Sequence, residues 1–232
     1  MPPTVQPKLP LPLAVTLAVL VATALSALPC VASAAPPKSA VPRKGLFLRA
    51  AIGPDVMSGK VSFSTTTAVS GTPTLYSYEA GFNGVGADVD LAAGWAPLDG
   101  LAIAVEGRAI LQMTGSAKLP HTTLSYLSLQ SLGGLVQYYP FSTGPVHVDF
   151  GAGYARTEYA SEEHAVLSPR TIALHADDMS GLLAHAGIGY DWRARTGFQV
   201  GPLLDVWETR LSSNDGRTTA RGVSLLISAG WL

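Results

Sequence analysis

Residues 86–109 read GADVDLAAGWAPLDGLAIAVEGRA, and this stretch decides the fold. It splits into two runs of strict alternation about a Pro97-Leu98-Asp99-Gly100 connection. In the first run Val89, Leu91, Ala93 and Trp95 share one face, and Asp88, Asp90, Ala92 and Gly94 take the other. In the second, Leu101, Ile103 and Val105 share a face, and Ala102, Ala104, Glu106 and Arg108 take the other. A period of two marks a strand, and two such runs joined by turn residues predict a hairpin. In a water-soluble sheet the apolar face packs a core and the polar face meets water. Here the polar face is mostly small, with a few charges, and the apolar face ends in Trp95 beside the turn. That arrangement suits a hairpin turned inside out, with apolar residues toward lipid and small or charged ones filling a barrel interior. A lone hairpin of this kind also occurs in soluble proteins, so the reading depends on repetition.

The rest of the chain repeats it. Gly45 to Gly53 alternates Leu46, Leu48, Ala50 and Ile52 against Phe47, Arg49, Ala51 and Gly53. A second hairpin, Ser125 to Tyr154, turns at Phe141–Pro145 and sets Val146, Val148, Phe150, Ala152 and Tyr154 against His147, Asp149, Gly151 and Gly153. In its outgoing arm Leu132, Gly134, Val136 and Tyr138 face outward, whereas Ser128 and Gln130 fall in the wrong parity. A bulge near Ser131–Gly133 would reconcile them. A third hairpin, Met179 to Leu211, turns at Arg193–Thr196 and puts Ala184, Ala186, Ile188, Tyr190 and Trp192 outward, with His185 and Asp191 inward. Its return arm has Val200, Leu204 and Val206 outward and Gln199, Leu203 and Asp205 inward. The last strand carries Val223, Leu225, Ile227, Ala229 and Trp231 outward. About eight strands are expected. Three short turns alternate with four long polar stretches: 54–79, 112–123, 156–178 and 212–218. Trp95, Tyr138, Trp192 and Trp231 all lie at the turn level, as an interfacial aromatic girdle does.

Composition agrees. Only 13% of the residues are charged, about half the usual share, and the net charge of -1 implies no polyanion-binding surface, so no nucleic acid. The start of the chain reads as a secretory signal peptide over 1–34. It has Lys8, an apolar run from Leu11 to Leu28, and an Ala32-Ser33-Ala34 site. Cleavage there removes Cys30, the one cysteine, and with it any disulfide or thiol chemistry. Residues 35–44 form a Pro/Lys/Arg linker expected to be disordered, and 45–232 the barrel domain. No later apolar stretch approaches the ~18 residues of a membrane helix.

The GLFLRAAIG start, the three hairpins and the closing VSLLISAGWL resemble the small outer-membrane β-barrels of the OmpA/OmpX-like superfamily. The resemblance implies an all-β, antiparallel up-and-down transmembrane barrel in the outer membrane of a Gram-negative bacterium. It has the four long stretches outside and the three turns in the periplasm. The partners it implies are outer-membrane lipid and lipopolysaccharide, and, during biogenesis, periplasmic chaperones and the barrel-assembly machinery. The state implied is a monomer. Strands of that superfamily usually end on an aromatic residue, whereas here Trp231 is penultimate and Leu232 last. A chain ending on a strand leaves no domain expected after it.

The inward set holds Arg49, Asp88, Asp90, Glu106, Arg108, His147, Asp149, His185, Asp191 and Asp205. Closing the turns as read places Asp88 opposite Arg108, Asp90 opposite Glu106, and His185 opposite Asp205. An eight-stranded barrel is just wide enough for side chains to fill, and charges inside it must pair or hold water. The expected role is therefore structural or surface-interacting, with Arg49, Asp88, Asp90, Glu106, Arg108, His185 and Asp205 as an ionic filling. A narrow solute or ion channel is the alternative. Some barrels modify lipid A and one protease group uses Asp pairs with a His-Asp pair, so Asp88-x-Asp90 and His147-x-Asp149 invite comparison. No nucleophile, base and orienter come together, however, and no enzyme is expected. Glu158, Glu162, Glu163, His164, Asp177 and Asp178 make an acidic third loop without the order of a calcium loop. No metal or cofactor motif occurs.

Overall fold

Strand alternation runs well past the points where the sequence suggested loops. The computed structural model describes residues 44–69, 72–119, 122–141, 144–162, 179–194, 197–214 and 216–232. The signal segment 1–34, nearly all of the linker 35–44, and residues 163–178 of the acidic third loop lie outside the described residues. Eight strands follow: β1 (Gly45–Val69), β2 (Thr72–Leu98), β3 (Leu101–Leu119), β4 (Thr122–Tyr138), β5 (Val146–Glu162), β6 (Met179–Tyr190, continued by Trp192–Arg193 after Asp191), β7 (Phe198–Ser212) and β8 (Gly216–Trp231). Each pairs antiparallel with the next, and β8 pairs back onto β1, which closes the sheet into a ring.

Two of the expected long loops are instead strand. Residues 54–69 and 72–79 pair continuously from Pro54↔Ala87 to Val69↔Thr72. Residues 112–119 and 122–123 likewise belong to β3 and β4. Ser, Thr and Gly make these stretches look loop-like, but their β-branched residues favour an extended chain. The expected bulge at Ser131–Gly133 is absent. The β4–β5 register holds unbroken from Tyr138↔Val148 to Leu127↔Tyr159 and slips only between Leu124 and Tyr126. Gln130 simply faces out, and Leu129 faces in, 3% exposed.

The faces follow the parity of the sequence. Outward residues 198–206 of β7 and 223–231 of β8 are apolar or small, a length that matches the ~9–11 residues of a membrane-crossing strand. Glu208 and Arg221, both exposed, come next in the outward parity. At the turn end Trp95, Tyr138, Trp192 and Trp231 are all exposed. Leu232 turns inward and is buried, so the last outward residue is the aromatic Trp231. Its strand end is fixed by the Leu232 N–H donating to the Gly197 carbonyl at 3.2 Å and by the Arg193 guanidinium on the Leu232 carbonyl.

Inside, the side chains form three layers. An apolar cluster of Phe47, Ala92, Ala96, Ala102, Ala104, Leu135, Tyr139 and Leu232 fills the turn end. Ionic groups occupy the middle. A second apolar cluster, including Met57, Phe82, Ile110, Leu183 and Trp207, fills the end toward the long hairpins.

Candidate functional site: the barrel interior

The middle layer is built by inward positions of seven of the eight strands, all but β4. Arg49 of β1 reaches Asp149 and Asp90 in ion pairs and Glu106 at 3.2 Å. Arg108 of β3 pairs with Asp88, and with Asp205 at 2.7 Å. His185 joins the two arginine centres: its Nε2 lies 2.7 Å from Glu106 and its Nδ1 3.0 Å from Asp205. The network continues toward the hairpin end. The Ser224 hydroxyl lies between Asp88 (2.6 Å) and Asp55 (2.8 Å), and the Trp207 indole N–H donates to Asp55 at 2.8 Å. Trp207 therefore belongs to the upper apolar layer by its ring and to the ionic layer by its nitrogen.

Toward the turn end lies a second polar group. The Tyr139 hydroxyl is 2.5 Å from Asp191, and Gln199 and Gln137 flank it at 3.2 and 3.3 Å. The His147 ring stacks obliquely on Tyr139, with centroids 5.3 Å apart. Its Nδ1 is 3.1 Å from Asp191, outside hydrogen-bond geometry, and its Nε2 is 3.8 Å from Asp149.

All seven of the ionic residues expected from the sequence meet here, but the expected facing pairs are off by two positions. Arg108 lies opposite Asp90, Glu106 opposite Ala92, and His185 opposite Trp207. The cause at the first turn is its tightness: it closes on Asp99–Gly100, with Gly100 at φ +80 and Leu98 opposite Leu101, and the register shift between Trp95 and Leu98 offsets this only in part. Arg108–Asp88 and His185–Asp205 are thus diagonal contacts, and Arg49 replaces the expected Asp90–Glu106 facing pair. The sequence reading missed Asp55, Trp207 and Tyr139. The first two were legible. The inward parity of Arg49 and Ala51 continues through Asp55 and Met57, and that of Leu203 and Asp205 reaches Trp207.

Taken together, the two polar groups are acidic. Among the described residues, buried Asp55, Asp88, Asp90, Glu106, Asp149, Asp191 and Asp205 face buried Arg49 and Arg108, with His147 and His185 between them. His147 and Asp149 are both fully buried, as are Asp88 and Asp90, so neither of the pairs compared with a protease is open to a substrate.

No protein-family model matches the chain, and no curated protein sequence matches it. Several solved structures do. Outer membrane protein OprG from Pseudomonas aeruginosa is 14% identical, with a TM-score of 0.48, over 81% of this chain and 95% of that one. Neisserial surface protein A is 12% identical, with a TM-score of 0.43, over 76% of this chain and 96% of that one. The outer membrane protease OmpT from Escherichia coli is 8% identical, with a TM-score of 0.39, over 84% of this chain and 98% of that one. At such identities the likeness stops at architecture. The chain's own closed ring, apolar belt and charged interior give it the architecture of a small eight-stranded outer-membrane β-barrel.

Proposed function

We propose that this barrel serves a structural or surface-interaction role, with its interior sealed by side chains and its long hairpins presented outside the membrane. The observation that carries this reading is the sequence of three side-chain layers across the interior. Each buries its members almost completely: Phe47, Arg49, Asp88 and Leu183 are all 5% exposed or less. The long β1–β2 hairpin supports the surface role. Its strands hold 25 and 27 residues, against the ~9–11 needed to cross a membrane. Residues 1–34 as a cleaved signal and 35–44 as a linker complete the proposal. With the His and Asp groups enclosed, the barrel is read as non-enzymatic.

A second reading, a narrow channel, is favoured by the acidic excess of the middle layer. Such a channel would select cations. Single-channel recording in planar bilayers tests the proposal. A sealed barrel gives no steady current, and steady cation-selective current from the wild type overturns it.

A further inference from the structure

Outside the barrel, one charged patch is left unexplained by the sealed interior. It lies on β7, β8 and β1, one step beyond the apolar belt. In the register of the sheet, Arg221 sits between Glu208 and Ser58, and in the next outward row Thr219 sits between Arg210 and Lys60. One row further, Arg217 is paired with Ser62. Four cations therefore occupy neighbouring outward positions on three adjacent strands. Neighbouring strands are ~4.8 Å apart, so these side chains reach a common ligand.

Two carboxylates accompany them. Glu208 accepts from Arg210 at 2.8 and 3.0 Å, and Glu79 accepts from Lys60 at 3.0 Å. Both pairs are solvent-exposed, with side-chain exposures of 57–79%, so they exchange readily for a stronger anion. Among the described residues, Arg217 and Arg221 form no ion pair. Thr219 adds a hydroxyl to the patch.

The position selects the ligand. Val206 and Val223 are the last apolar outward residues of β7 and β8, and Glu208 and Arg221 follow directly. Long arginine stems lie along apolar surface while their heads stay in the polar layer. The guanidiniums therefore sit at head-group depth, at the end of the barrel away from the short turns and the aromatic girdle. Paired arginines recognise phosphate by bidentate, charge-assisted hydrogen bonds.

We propose that this patch binds the phosphate groups of an outer-leaflet glycolipid, the lipid A part of lipopolysaccharide, and holds that lipid against β7–β8–β1. The site is independent of whether the interior conducts, so it stands or falls apart from the sealed-barrel reading.

The test is native mass spectrometry of the barrel extracted from membranes into micelles holding equal amounts of bisphosphorylated and phosphatase-treated lipid A. The wild type should retain the phosphorylated form in preference, by about tenfold, as expected for several half-exposed ion pairs acting together. The triple variant K60Q/R217Q/R221Q should lose that preference, while K44Q, which removes a cation at the turn end, should keep it. Equal retention of both lipids by the wild type overturns the proposal even if the triple variant does not fold. So does a folded triple variant that keeps the preference. Displacement of lipid A by an equal concentration of inorganic phosphate would make the patch a free-anion site and sink the lipid assignment.

Discussion

Two histidines are accommodated by glycines on the facing strand. His185 of β6 lies opposite Gly151 of β5, and His147 of β5 opposite Gly189 of β6. A Cβ at Gly151 would fall 1.9 Å from His185 Nε2, and one at Gly189 2.3 Å from His147 Nε2. The His185 ring cannot swing aside cheaply, because Glu106 and Asp205 hold both of its nitrogens. Gly151→Ala should therefore destabilise by about 1–3 kcal/mol, the usual cost of overpacking. Gly107→Ala is the control: nothing lies within 4 Å of the added carbon, and its effect should stay within about 0.5 kcal/mol. Urea-folding titrations into lipid vesicles measure both, and equal losses would mean that the His185 site has room to spare. Arg108 poses a different problem at the same scale. Its removal strands two carboxylates from their guanidinium, leaving Asp88 only Ser224 and Asp205 only His185 among the partners described above. Arg108→Ala should cost about 3–5 kcal/mol, as breaking a buried pair does. Adding Asp88→Ala should recover part of it, because one of the two stranded charges is then gone. The recovery is partial since Asp205 remains. Strict additivity in this double-mutant cycle would show that the two side chains are uncoupled.

At the scale of the strand, depth in the membrane decides what a charge costs. Leu91 is outward and 59% exposed, in the middle of the apolar belt. Leu91→Arg should destabilise by about 2–4 kcal/mol, and Ser58→Arg, on the same outer face but beyond the belt, by about 0–1 kcal/mol. The same titrations distinguish them, and like losses at both sites would place the belt wrongly. The facing of each strand was legible because parity is written directly into residues such as Leu46 to Ile52 and Val223 to Trp231. Register was not, because it depends on turn geometry that composition does not reveal. Closure of the first turn on Asp99–Gly100 moves Arg108 from Asp88 to Asp90. Strand length was obscured for a related reason. Pro54 lacks an N–H to donate, and the β1–β8 ladder is interrupted at 53–54. It resumes at Asp55↔Ser224 in the same register. Read alone, that proline ends a strand. In the sheet it only skips a rung, and β1 carries Asp55 and Met57 on into the interior.

Across the whole molecule, the three interior layers lie in series, and a path through the barrel must open all of them. Tyr139 stands in the turn-end layer, Arg49 in the ionic layer and Trp207 in the hairpin-end layer. Water enters an apolar constriction reluctantly, and such constrictions gate by dewetting. The two apolar layers should therefore block ions even where the charged layer is broken. Arg49→Ala alone should leave planar-bilayer current at the level of the bare membrane, although it destabilises the fold. Trp207→Ala alone should do the same, because the ionic and turn-end layers remain. Only the triple change Tyr139→Ala, Arg49→Ala and Trp207→Ala should admit steady current. That current should be carried by cations, because the remaining interior carboxylates exceed Arg108, the one buried guanidinium left among the described residues. Anion selectivity in the triple variant would contradict the acidic character of the middle layer. Current from Arg49→Ala alone would mean that the ionic layer is the sole gate and that the apolar clusters do not close the bore.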